Sequence, residues 1–202
     1  MAWRAAADAI GRALSAARLL LVCQAPTAAT RGARFPSDDP VDAGGLRRLA
    51  LCAAPAAERW RTSPALAARR TAAGLGVAAE PDPLLRDGDF GRWAGRSLDE
   101  VQAGEPEGFA SWLDDPAAAP HGGESVHDLL SRAGMWLDGQ RGIAGRTAAV
   151  THAAFIRAAI VRAIDATPAS FWRIDVAPLS SVVLAGGGGR WNLVSSGPLP
   201  RA

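Results

Sequence analysis

The chain has 202 residues, 49% of them hydrophobic, and a formal charge of +2. Length and hydrophobic content suit one domain with its own core and exclude a disordered chain. All 22 basic residues are arginine and there is no tyrosine, so Schiff-base lysines, P-loop lysines and tyrosine nucleophiles are excluded.

No apolar run reaches the roughly 18 residues that cross a bilayer, so no membrane partner is expected. The arginines are scattered rather than clustered, which argues against a nucleic-acid partner. Cys23 and Cys52 make no CxxC pair; two unpaired thiols fit a reducing cytoplasm. His121, His127 and His152 have no Cys or His at ligand spacing, so neither a metal nor a cofactor is expected.

In chain order, Trp3, Ile10 and Leu14 share one helical face, so residues 1–17 read as an amphipathic helical extension ahead of a single domain over 18–202. This extension could cover the domain or contact a protein partner or a second copy. Leu19-Leu20-Leu21-Val22 has the pattern of a strand buried on both faces. Ala25–Pro40 reads as a loop. Asp42 can cap a helix running to about Ala54. Glu58–Ser63 reads as a strand, and Thr62-Ser63-Pro64 opens a helix that ends at Gly74-Leu75-Gly76.

Residues 80–96 form an acidic and aromatic loop. Ser97 caps a helix to about Gly104, and a short helix follows with Phe109, Trp112 and Leu113. Three prolines and a glycine pair make Asp114–Gly123 a loop. Ser125 opens a longer helix to about Leu137, with Leu129, Leu130, Ala133 and Trp136 at helical spacing. Arg146–Thr151 is a second buried strand with His152 at its carboxyl end, followed by a helix over Ala153–Ile164. Phe171–Ile174 adds a turn, and Ser181–Leu184 with Arg190–Val194 flank a glycine run as a terminal hairpin. Alternating strands and helices predict a three-layer α/β/α fold with a mainly parallel sheet.

Five segments in fixed order resemble the histidine phosphatase superfamily, the phosphoglycerate-mutase-like proteins, after the opening strand. They are Phe35-Pro36 to Asp39-Pro40; Thr62-Ser63-Pro64 to Arg70-Thr71-Ala72; Asp89-Phe90-Gly91-Arg92-Trp93-Ala94-Gly95-Arg96; His121-Gly122-Gly123-Glu124-Ser125; and Val150-Thr151-His152-Ala153-Ala154. The resemblance runs from about Arg18 to Val194. It implies a phosphate pocket with two arginines, two histidines and an acid, one histidine accepting the phosphoryl group. Bidentate guanidinium forks suit a phosphoryl dianion, and an acid spares the leaving oxygen from departing as an alkoxide.

At those positions this chain carries Cys23 for the first Arg, Gln24 for the nucleophilic His, Ala67 for the second Arg, Asp87 for the acid and His152 for the second His. The family's Arg-His-Gly reads Cys23-Gln24-Ala25 here. An amide nitrogen has no basic lone pair and cannot replace imidazole. Losing a covalent nucleophile costs roughly 10⁴–10⁶ in rate.

The sequence therefore gives His152 and Asp87 as candidate acid–base residues. Cys23, Gln24, Thr27, Arg31, Ala67 and Glu124 are the candidate pocket residues, with Arg31 or Arg34 able to reach an anion from the first loop. Cys23 as a new nucleophile lacks a following Arg at the spacing of cysteine phosphatases, and reads better as a buried small residue. Three functions follow in order. The first is a degenerate relative acting through ligand or partner binding. The second is an enzyme using His152 and Asp87 on a weakly charged small molecule. The third is an active phosphatase.

Overall fold

Alternate residues of β1 (Arg18–Cys23) enter two different cores, and the fold is built around that division. Leu19, Leu21 and Cys23 pack into one apolar cluster and Val22 into another. A strand buried on both faces must lie inside a sheet covered on both sides. The computed structural model describes residues 17–187 and 189–202. The extension read at residues 1–17 falls, except for Ala17, outside the described residues.

The sheet has six strands in the order β3-β2-β4-β1-β5-β6. β2 (Arg59–Thr62), β3 (Glu80–Pro81), β4 (Arg146–Thr151) and β1 run parallel. β5 (Ser180–Gly187) pairs antiparallel with β1, and β6 (Arg190–Pro198) antiparallel with β5. The mainly parallel sheet is thus a mixed one, closed on one side by the hairpin.

On one face lie α6 (Val126–Gly139) and α7 (Ala153–Ala163), which bury Leu129, Trp136, Phe155 and Ile156 against Leu19 and Leu21. On the other, α2 (Ala43–Leu49) and α3 (Leu66–Gly74) bury Leu49, Ala68 and Ala72 with Val22 and Val150. A third cluster joins Phe35 and Trp93 to Val101 of α4 (Leu98–Gly104) and Trp112 of α5 (Pro106–Asp114).

Local chemistry sets most helix starts. Ser97 accepts from Glu100 N and Ser125 from Asp128 N, each in a reciprocal capping box. Asp42 accepts from Gly45 N at the start of α2.

Four expectations need correction. The loop over Ala25–Pro40 contains a one-turn helix, α1 (Ala28–Arg31), closed by Thr27 and Thr30. Helix α2 stops at Leu49, five residues early, because the chain turns to pair Cys52 with Arg201. Helix α3 starts at Leu66 rather than at Pro64, with Asp38 Oδ1 accepting from Leu66 N at 2.7 Å. Glu80–Pro81, read as loop, is a two-residue edge strand on β2. Among the described residues, no helix is long and apolar enough to cross a membrane.

Candidate active site

The carboxyl ends of parallel strands are where ligand crevices form in open α/β sheets. Here Gln24 follows β1, Pro64 follows β2 and His152 follows β4, and all three border one cavity of about 400 Å³. Of the residues singled out from sequence, Gln24, Thr27, Ala67, Asp87 and His152 line it.

Cys23, Arg31 and Glu124 do not. Cys23 is the last residue of β1 and points into the core. Its thiol is pushed up to about 12, first by burial and then by the Asp87 charge, which removes it as a nucleophile at neutral pH. Arg31 is committed to Asp42 through Nε at 2.5 Å and Nη2 at 3.2 Å. Arg34 donates to Gly95 O at 2.9 Å and to Glu100 at 3.3 Å. Neither arginine of the first loop reaches the cavity, because α1 and the turn after it aim them at other partners. Glu124 lies at the N-terminus of α6, paired with Arg132.

His152 is the best-held group in the site. It is 3% exposed. Its Nε2 lies 2.7 Å from Ser63 Oγ, which also accepts from Ala65 N at 3.2 Å. Its Nδ1 lies 3.4 Å from Asp87 Oδ2 without hydrogen-bond geometry, so this buried nitrogen has no hydrogen-bond partner among the described residues. Asp87 accepts from Gly88 N at 3.0 Å. A Ser63–His152–Asp87 line superficially looks like an acyl-transfer triad, but Ser63 is fully buried and does not border the cavity. Its hydroxyl serves to orient the imidazole.

Burial lowers the His152 pKa below its usual 6.5, outweighing the pull of Asp87 in the other direction. His121 is lowered for the same first reason. It is buried between Phe90 and Trp93, accepts from Gly123 N at 3.0 Å, and does not line the cavity. A histidine whose folded pKa is depressed stabilises the fold only above its unfolded pKa. Stability is therefore expected to fall as pH drops through about 6.5 and below, and denaturant midpoints at pH 7.5 and pH 5 check it. His152→Gln should flatten part of that dependence.

Arg132 was missed by sequence reasoning, although it sits on the apolar stripe of α6, three residues after Leu129 and four before Trp136. It is 3% exposed. Nε and Nη2 donate to Glu124 at 2.8 and 2.6 Å, Nη1 to the carbonyls of Leu84 and Arg86 at 2.7 and 2.8 Å, and Nη2 also to the Asp87 carbonyl at 3.0 Å. All five N–H groups of a guanidinium are thereby used. Thr151 Oγ1 adds a bond to Leu85 O at 2.6 Å. Together they fix the segment that carries Asp87.

The cavity's charge was also missed. Asp38, Asp39, Asp87 and Asp89 border it, against Arg86, whose Nη2 lies 3.5 Å from Glu124. The sequence signal was present in the Asp38-Asp39 and Asp87-Gly88-Asp89 runs. Among the described residues, no group of three His, Cys, Asp or Glu side chains is placed to hold a metal ion.

Sheet order, strand-end cavity and a histidine after β4 define a phosphoglycerate-mutase-like α/β protein. The family model for the histidine phosphatase superfamily (branch 1) matches residues 33–197, and the chain belongs to that superfamily. The match begins after Cys23-Gln24-Ala25. Among curated relatives, a bifunctional protein of Mycobacterium tuberculosis is 35% identical over 112 residues, 52% of this chain and 30% of that protein. The glucosyl-3-phosphoglycerate phosphatase of Mycolicibacterium vanbaalenii is 33% identical over 104 residues, 46% of this chain and 45% of that enzyme. These alignments span less than half the length of either relative. Among solved structures, the alpha-ribazole phosphatase of Shigella flexneri superposes with a TM-score of 0.76 at 19% identity, covering 88% of this chain and 94% of that one. The mycobacterial glucosyl-3-phosphoglycerate phosphatase gives 0.74 at 22%, covering 88% and 97%. At such identities the likeness is one of fold.

Proposed function

We propose that this protein uses the histidine-phosphatase scaffold to bind a small molecule and does not carry out phosphohistidine chemistry. One observation carries the reading, the cavity's lining: it presents Gln24 and Ala67 where the family resemblance expects the nucleophilic His and an Arg, and it includes four aspartates. A phosphate dianion would be repelled by those carboxylates, with Arg86 the cation opposing them among the described lining residues. Cys23, at the place of the other expected Arg, is neutral and buried. Two unpaired thiols accord with a reducing compartment such as the cytoplasm.

The relatives' names point instead to phosphate-ester hydrolysis, and the test separates the two. The purified chain is incubated with p-nitrophenyl phosphate and a panel of sugar phosphates, followed by mass spectrometry for phosphorylated side chains. The expected result is turnover below about 1 s⁻¹ and no phosphohistidine. Turnover above that level, abolished by His152→Ala, would overturn the reading.

A second reading rests on the buried, unsatisfied His152 Nδ1 beside Asp87. A neutral imidazole with a carboxylate at 3.4 Å can move a proton on a weakly charged substrate. A thermal-shift screen of neutral against phosphorylated metabolites addresses it. Stabilisation by phosphorylated compounds alone would count against both readings.

A further inference from the structure

A second cavity, of about 340 Å³, adjoins the first and shares Pro36 and Gly88 with it. Its character is different. Phe90, Trp112, Phe171, Trp172, Val126 and Leu129 supply much of its wall. Three charged side chains also border it, and two are already committed. Glu124 is bonded to Arg132, and Arg34 to Gly95 O and Glu100.

The third, Arg157 on α7, is held only by a long, exposed ion pair. Its Nε is shut off from solvent and has no acceptor among the described residues. Its Nη2 lies 3.9 Å from an oxygen of Asp175, whose side chain is fully exposed. Its guanidinium carbon stands 5.9 Å from the centroid of the Phe171 ring. A guanidinium whose ion pair is this long and exposed keeps donor capacity for a second anion. The cavity's volume falls in the range of small-molecule pockets, which are mostly apolar with a few oriented polar groups.

We propose that this cavity is a separate ligand site, taking a flat apolar molecule that carries one carboxylate. The carboxylate accepts from Arg157, and the ring system lies among Phe90, Trp112 and Trp172. Among the described lining residues, one loosely paired cation on an aromatic wall suits a monoanion with a hydrophobic body, not a hydrated phosphate dianion. The proposal does not depend on what the His152 cavity does.

Indole-3-acetate and its neutral amide, indole-3-acetamide, are the probes, titrated into the full chain by calorimetry. The acid is expected to bind about tenfold or more tightly than the amide, the value of a charge-assisted hydrogen bond. Arg157→Gln should remove that preference while leaving amide binding unchanged, and Arg157→Lys should restore part of it. Equal affinity for acid and amide would overturn the proposal. So would unchanged acid binding in Arg157→Gln, or no binding of either probe up to about 1 mM. Should Arg157→Gln fail to fold, the comparison of acid with amide on the unaltered protein decides.

Discussion

Replacing Arg132 with methionine is expected to destabilise the protein by about 3–5 kcal/mol, the usual consequence of removing one partner from a buried ion pair. The loss is larger than for a surface bridge because Glu124, its side chain 8% exposed, is left charged with only the half-exposed Arg86 facing it at 3.5 Å. The carbonyls of Leu84, Arg86 and Asp87 also lose their donor. Urea denaturation measures the change. Adding Glu124→Gln to Arg132→Met should recover part of it, since the poorly compensated buried charge is then gone, so the two substitutions should be clearly non-additive. The three carbonyls remain unpaired in either variant, and recovery should stay incomplete. If Arg132→Met costs under about 1 kcal/mol, comparable to an exposed pair, the account of this keystone fails.

The second large effect is expected at Gly91. Its backbone is left-handed, at φ +46°, and a Cβ there would collide with the carbonyl oxygen of His121 and stand 3.0 Å from Gly123 N. Gly123 faces the reverse constraint, a Cβ on it meeting the Asp89 carbonyl. The two loops approach this closely because Arg92 N donates to His121 O at 3.0 Å and Glu124 N to Asp89 O at 2.8 Å. Gly91→Ala therefore combines a left-handed penalty of about 1–2 kcal/mol with overpacking of about 1–3 kcal/mol. A combined loss of about 2–5 kcal/mol is expected in the same denaturation measurement. Gly76→Ala makes a useful comparison, since its φ is +71° but a Cβ there meets nothing within 4 Å. It should show the backbone penalty alone.

The strands were legible because period and burial agree. Leu19–Val22 is wholly apolar, the Ala148–Val150 centre of Arg146–Thr151 is apolar too, and both became central strands. Helix starts were legible where a side chain closes them, as at Asp42, Ser97 and Ser125. Helix ends and short elements were not. α2 ends early because of a pairing with the far end of the chain, and no local signal carries information about Arg201.

The site divided in a similar way. Gln24, Ala67 and His152 follow strands or begin a helix, so their placement comes from topology, and they meet in one cavity with Asp87, whose segment is held by Arg132. Arg31 and Arg34 were expected near it because they lie on the first loop. Their actual partners, Asp42, Gly95 and Glu100, are up to 66 residues away and depend on how that loop folds over α4. Arg132 was hidden by a habit of reading arginine as surface, although its spacing on α6 put it inward.

One feature of β1 also offers an internal clock. Of the two thiols, Cys52 is half-buried, its Sγ 3.4 Å from the Arg48 carbonyl, while Cys23 is sealed in the core. Burial pushes the Cys23 pKa up to about 12, so at pH 8 the thiol is protonated as well as enclosed. A thiol-specific reagent should therefore modify Cys52 first, and Cys23 only when the central strand detaches. The slow phase of alkylation would then time the opening of the whole sheet without any denaturant.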